Sequence, residues 1–404
     1  METWLTYIAA LLMAEATAFT FASSGTLAST MANLTGWLGG IAAYVFAPLA
    51  FMTFASGIAS LGKDRLEGKT IRSTVLWAVL TTALLSAIAA AVTVLFPQAF
   101  PVSSTAGGQV GPLMESYKAS FDAFKAVSTV SRIFIPVVLL AWMLGAALKP
   151  SADVIRPAYT VMNSWSEVMY RIQRTATFFG GFFVYIAGTS VFLNIWQEKT
   201  IAAAPALFAT IGAAALAVIL VVLPLLYAIF TGFKRNPYGI IGRSIASLAT
   251  GFVSSNIYAS ALVNESVSRS NLGVQKRFSS TVVPLSIIIT RGGTAFVSIL
   301  STVTLLKTLG AELNLVSLAA VAAMIAVFSF TSSLSAGFEI FAVSMAALKV
   351  LKVETYGAEA CLVALLPFLN GVAVMLDSLL ANMAASIASV RSRTDAKIPL
   401  KETI

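Results

Sequence analysis

Residues 280–306, STVVPLSIIITRGGTAFVSILSTVTLL, are almost unbroken apolar sequence with Thr290-Arg291-Gly292-Gly293-Thr294 at their centre. At about 1.5 Å per residue, a helix of this length crosses a bilayer core of roughly 30 Å with some to spare. An arginine at mid-depth costs a few kcal/mol at least, so it is expected to face protein or a water-filled cavity. Two adjacent glycines weaken the helix there and let the backbone open. Unwound backbone at membrane depth survives only where protein or water satisfies its N–H and C=O groups. A broken helix with a buried charge is therefore a candidate solute or ion site, and the other segments can be read as its housing.

The whole chain fits that setting. It has 404 residues, 58% hydrophobic and 11% charged, with a mean hydropathy of +0.88. A soluble protein has about 25% charged residues, so the composition is that of a polytopic membrane protein. The net charge of +9 is scattered between apolar blocks. It does not form one basic face, which argues for positive-inside flanks and against a nucleic-acid partner. There is no histidine and one cysteine, Cys361, which reads as packing. Intrachain disulfides, histidine acid–base chemistry and the usual zinc or haem sites are excluded, and no cofactor is expected. No Walker-type glycine loop is present, and no nucleophile–base pair suggests an enzyme.

Apolar blocks run over about residues 4–30, 36–61, 71–96, 130–148, 160–195 and 201–232. The first is irregular and reads as a membrane or interfacial helix; the absence of a basic n-region argues against a cleaved signal peptide. Residues 62–69 are a charged loop, whereas residues 97–112 lack Lys and Arg. This asymmetry predicts the first loop inside and the second outside, with the C-terminus cytoplasmic. The block at 157–195 holds Glu167, Arg171 and Arg174. It is predicted as one tilted helix with snorkelling charges and an i,i+4 Glu167–Arg171 pair.

From residue 238 the pattern changes. Residues 239–274 are split by Ser254-Ser255-Asn256, and residues 315–353 by a polar run over 331–337 that contains Thr331, Ser332, Ser333 and Ser335. Each is predicted as a re-entrant hairpin whose polar tip stops inside the membrane. The first is followed by the broken helix, the second by a final helix holding Asp377 and Asn382. Inverted repeats with interrupted segments in matching places point to a midplane transport site. The predicted fold is thus an all-α polytopic membrane protein with about eight transmembrane helices plus two re-entrant hairpins.

These features resemble the dicarboxylate/amino acid:cation symporter family, which includes the glutamate transporters and their archaeal aspartate-transporting homologues. The family's seventh helix carries Pro-Leu and then Asn-Met-Asp-Gly-Thr; here Pro284-Leu285 precede Thr290-Arg291-Gly292-Gly293-Thr294-Ala295. Its first tip is a serine run, matched by Ser254-Ser255-Asn256, and its second tip looks like a less polar version of residues 331–337. Residues 46–51 and 77–82, with Thr81-Thr82, are similar to its second and third helices. The resemblance covers most of the chain from residue 36 onward in layout and order, with weak identity.

The resemblance implies a cation-coupled symporter working by an elevator mechanism, a multi-pass protein of the inner (plasma) membrane that forms a homotrimer. Residues 1–70 and 113–196 would be scaffold helices one, two, four and five, and residues 71–98 transport helix three. The transport domain would then cover 199–391, with helix six, a first hairpin at 238–274, the broken helix at 278–308, a second hairpin at 314–355 and the final helix at 356–391; residues 392–404 are a cytoplasmic tail. Substrate-binding candidates are Arg291, Asp377, Asn382, Thr294, Ser254, Ser255, Asn256, Ser332, Ser333 and Ser335; cation-binding candidates are Thr81, Thr82, Thr290, Gly292 and Thr331. The family's sodium-holding Asn and Asp correspond to Thr290 and Gly292, and its substrate-holding Arg to Leu380, so the coupling ion stands open between Na+ and H+.

Arg291 has two readings. A guanidinium at about 4 Å from a cation, at an effective dielectric near 20, costs on the order of 4 kcal/mol, so it would replace one coupling cation and take an anionic substrate. Alternatively it forms a structural ion pair with Asp377. Asp377 itself suits a substrate ammonium or a proton, and Glu339 is placed at outer water. The expected solute is a small amino acid or dicarboxylate; an anion-conducting channel or a non-transporting relative with lost ligands are the alternatives.

Overall fold

The computed structural model describes residues 3–100, 134–148, 154–197, 204–332, 337–354 and 359–392, with Thr394 and Ile398. Every regular element among them is helical: α1 (Thr3–Thr20), α2 (Gly25–Lys63), α3 (Glu67–Leu95), α4 (Phe134–Ala147), α5 (Arg156–Phe178), α6 (Gly180–Gln197), α7 (Pro205–Thr231), α8 (Pro237–Arg243), α9 (Ile245–Ser254), α10 (Ile257–Ser270), α11 (Lys276–Ile289), α12 (Gly292–Thr308), α13 (Leu315–Ser329), α14 (Glu339–Val350) and α15 (Glu359–Arg391). Five spans among the described residues are long and apolar enough to cross a membrane: α2, α3, α7, α11 with α12, and α15. The α5–α6 pair makes a sixth if it counts as one span. The polytopic all-helical class follows directly; by helix length and composition the described residues give five or six spans.

Three boundaries differ from the sequence reading. The first apolar block ends at residue 20, and α2 starts at Gly25 because Ser24 caps it, accepting from Leu27 N at 3.3 Å. The block at 157–195 is not one tilted helix, since α5 and α6 meet at a 54° bend. At the bend Tyr7 of α1 donates to the Thr177 carbonyl at 2.6 Å, and Gly180 leaves room for the tyrosine ring. Glu167 does not rely on Arg171. It reaches across to Arg269 at 3.0 Å and Lys276 at 3.5 Å, because charges on other helices offer shorter, charge-assisted bonds. In α7 a π-helical turn covers Val218–Val222 just before Pro224, whose missing N–H removes a bond of the regular ladder.

The second hairpin segment folds as two short helices, α13 packed on α14, and the first as α9 packed on α10, preceded by the short helix α8. The packing places α11–α12 and α15 at the centre. In the most apolar stretch of each span, 83% of the α11–α12 residues and 72% of the α15 residues are buried, against 39% for α3 and for α7. A polar helix tolerates this depth because its hydroxyls bond locally. Ser301 donates to Val297 O at 2.8 Å, Thr304 to Leu300 O at 2.7 Å, and Thr302 to Ser344 Oγ of α14 at 2.8 Å. A second, smaller core joins α2, α4, α10 and α11, where Phe46, Phe134 and Tyr258 stack with centroids 5.1–6.2 Å apart.

The sequence reading opens the broken helix at its glycines. The structure opens it one step earlier, at Thr290 (φ −91°, ψ 90°) and Arg291, and Gly292-Gly293 form the first turn of α12. The glycines serve close approach instead. A Cβ on Gly293 would lie 2.5 Å from Leu376 Cβ and on top of the Ala373 carbonyl; one on Gly292 would lie 2.9 Å from Leu380 and 3.1 Å from Leu85. Gly293→Ala should therefore cost about 1–3 kcal/mol by overpacking. Gly212→Ala in α7, where nothing lies within 4 Å of the added methyl, should be neutral or stabilising by up to about 1 kcal/mol. Thermal unfolding of the two purified variants against the parent checks both.

Candidate functional site

A helix that begins inside a protein exposes amide groups its own backbone cannot satisfy. For α12 no side chain of its own caps them; Arg291 stands at the N-cap position without such a bond. The cap comes from α15. Asp377 Oδ1 accepts from Gly293 N at 2.7 Å, and Oδ2 accepts from Thr294 N at 3.2 Å and Thr294 Oγ1 at 2.6 Å. A carboxylate at a helix N-terminus is favoured by the helix dipole as well as by the bonds. Both carboxylate oxygens of Asp377 are thereby engaged.

Arg291 is completely buried beside this cap. Its Nη1 lies 4.0 Å from Asp377 Oδ2, too far for a hydrogen bond, and none of its three guanidinium nitrogens has a hydrogen-bond partner among the described residues. The second carboxylate within its electrostatic reach is Glu339, the first residue of α14. Glu339 is buried, not at outer water as the sequence reading has it. Its Oε2 accepts from Gly337 N at 2.8 Å, while Oε1 is buried without a partner. Burial of a guanidinium and a carboxylate oxygen without bonds is expensive, and a bidentate acceptor at Arg291 would relieve it.

Both hairpin tips converge on a single turn of α15. Ser255, in a left-handed conformation at φ +49°, donates to the Pro367 carbonyl at 2.9 Å. Gly371 lies directly against the Phe252 carbonyl. Asn256 caps α10 by accepting from Tyr258 N at 2.9 Å, and Ser254 Oγ accepts from Asn256 N at 3.3 Å. On the other side, Asn370 donates its amide to the Gly337 carbonyl and accepts from Ile340 N at 3.1 Å. Asp377 is seven residues further along α15, two helical turns, on the same face. The tips and the α12 terminus are thus brought to one stretch of about 15 Å of α15.

Of the residues singled out from sequence, Arg291, Asp377, Thr294, Thr290 and Gly292 meet at the break. Helix α3 backs onto it, with the Thr81 carbonyl carbon 3.5 Å from where a Gly292 methyl would be. Thr81 spends its hydroxyl on Trp77 O at 2.8 Å, whereas the hydroxyls of Thr82, Ser86 and Thr290 are buried without partners among the described residues. Asn382 is engaged elsewhere: it accepts from Ser268 at 3.1 Å and donates to Ser244 at 3.2 Å and Ser247 at 3.1 Å, lacing α15 to the base of the first hairpin. Ser332 and Thr331 bond to carbonyls of their own turn, Ser329 O at 2.6 Å and Phe328 O at 2.7 Å. Ser333 and Ser335 lie outside the described residues. Sequence reasoning passed over Asn370, although its spacing of seven from Asp377 marks it as sharing that face.

The model of the sodium:dicarboxylate symporter family matches residues 3–390. The chain belongs to this family. A curated relative, the serine/threonine transporter SstT of Bifidobacterium adolescentis, is 26% identical over 309 residues, 72% of this chain and 68% of the relative. The family is one of membrane transporters that work by symport.

The cap makes a direct prediction. Asp377→Asn places an NH2 group against two N–H donors and a hydroxyl and strands Arg291, which should destabilise the protein by about 3 kcal/mol or more. Asn370→Ala strands the Gly337 carbonyl and the Ile340 N–H, so it should cost about 1–3 kcal/mol and raise hydrogen exchange selectively over residues 337–341. Denaturation curves and peptide-level exchange measure the two.

Proposed function

We propose that the protein is a secondary active transporter for a small carboxylate-bearing amino acid or dicarboxylate, driven by a coupled cation. The observation that carries this reading is Arg291: a wholly buried guanidinium at a helix break whose three nitrogens have no acceptor among the described residues. Its planar fork matches a carboxylate bidentately. Asp377, with both oxygens engaged, holds Arg291 and the α12 terminus in place. Of the unpartnered carboxylate oxygens, Glu339 Oε1, within electrostatic reach of Arg291, is the acceptor for a substrate ammonium. One cationic and one anionic group suit an amino acid with a neutral side chain, in keeping with the serine/threonine specificity in the name of the relative.

The coupling cation would be held by neutral oxygens. Among the described residues no three His, Cys, Asp or Glu side chains cluster as metal ligands. The buried, unpartnered hydroxyls of Thr82, Ser86 and Thr290 are hard oxygen donors of the type sodium accepts. In this reading α9–α10 and α13–α14 are re-entrant hairpins whose tips gate the site. The central bundle moves as an elevator against a scaffold containing α2, α4 and α5 within a homotrimer in the plasma membrane, with the C-terminus cytoplasmic.

A ligand that binds only the folded protein raises its melting temperature. Detergent-purified protein is to be melted with serine, threonine, aspartate and succinate, each in sodium and in choline. The expected result is stabilisation by one class of solute in sodium, and loss of that shift and of proteoliposome uptake in Arg291→Met. Uptake unchanged in Arg291→Met would overturn the assignment of Arg291. Solute-independent conductance without any shift would favour a channel.

A further inference from the structure

Far from the helix break, at the end of the molecule where α3 begins and α15 ends, lies a cavity of about 350 Å³. Lys69 and Arg72 of α3 and Arg391 of α15 surround it, with Ser73 and Ser392 between them. Arg391 donates its Nε to the Phe230 carbonyl at 3.1 Å, and among the described residues its terminal amino groups have no acceptor and no acidic side chain lines the cavity. The amino end of α3 opens into it without a side-chain cap, so its first amides and dipole add to the positive potential. Like charges held around one hollow repel each other unless an anion sits among them.

The cavity is not isolated. Gly68, Arg72 and Leu76 are shared with a second, apolar groove of about 750 Å³ that runs down the outer face of α3. Val75, Val79, Leu80 and Ala83 line it along one side of the helix, and all are exposed. Trp142 of α4 closes the far wall and donates to Glu67 Oε1 at 3.1 Å, an interaction that takes up the one carboxylate bordering the groove.

We infer that these two hollows form one site for an anionic phospholipid, with the phosphate among Lys69, Arg72 and Arg391 and an acyl chain along α3 against Trp142. Charge complementarity with a phosphate and continuity with a hydrocarbon-sized apolar groove both point to a lipid, and basic pockets between transmembrane helices are the usual receivers of acidic headgroups. The lipid would bridge α3 and α15 to α4. The inference needs membrane insertion only and is independent of what is transported.

The test uses full-length protein in neutral detergent. Dioleoyl phosphatidylglycerol is expected to raise the melting temperature more than the same amount of dioleoyl phosphatidylcholine, and inorganic phosphate or glycerol 3-phosphate alone to have no effect. With each basic residue worth roughly fivefold in affinity, K69Q/R72Q should retain about 25-fold less phosphatidylglycerol in native mass spectrometry. Val79→Trp, which fills the groove from an exposed position, should also reduce retention. Equal stabilisation by the two lipids, full retention by either variant, or an equal shift with free phosphate would each overturn the lipid site; the last would leave a free-anion pocket. The comparison of the two lipids needs no variant.

Discussion

The carboxylate of Asp377 on the first amides of α12 is the interaction on which the rest depends. A helix interrupted at mid-membrane leaves donors that lipid cannot satisfy. An internal serine or asparagine could cap them, but the carboxylate from α15 also joins the two most deeply buried spans and sets a negative charge next to Arg291. Gly292 and Gly293 are the geometric condition for it: without side chains, α12 approaches α15 closely enough for the bonds to form. Sequence, packing and electrostatics agree at this point.

Around the cap, the polar groups divide into those with partners and those without. Asn382, Ser268, Ser244 and Ser247 complete one another and act as fasteners. Arg291, Thr82, Ser86, Thr290 and one oxygen of Glu339 are buried and incomplete. Native interiors keep few such groups, and those they keep are commonly tied to a role. Among the described residues these incomplete groups lie on segments that meet at the helix break or at the second tip, and a further set, on Asn264, Glu265 and Ser266 of α10, lies beside the fastener Ser268.

Much of this was legible in the chain. The membrane class, the broken helix and its arginine, and the family resemblance follow from hydropathy, the Arg-Gly-Gly run and the order of interrupted segments. What was not legible depends on contacts between distant residues. Asp377 and Gly293 are separated by 84 positions. Nothing in either neighbourhood says that the carboxylate is spent on amides rather than kept for a ligand. Glu339 follows a polar run and reads as exposed, yet the fold turns it inward. Glu167 has a local arginine at helical spacing, but two basic residues about a hundred positions away win, because tertiary packing brings them closer. The displacement of the break from the glycines to Thr290 has the same origin: glycine allows both unwinding and close contact, and only the neighbouring helix decides which is used.

One turn of α15 receives both hairpin tips, Ser255 through the Pro367 carbonyl and Gly337 with Ile340 through Asn370. The two tips are about 80 residues apart in the chain, but they share this attachment. An inherited change at residues 367–370 is therefore felt at both tips at once. A single substitution on this turn acts on two segments that never meet in the chain.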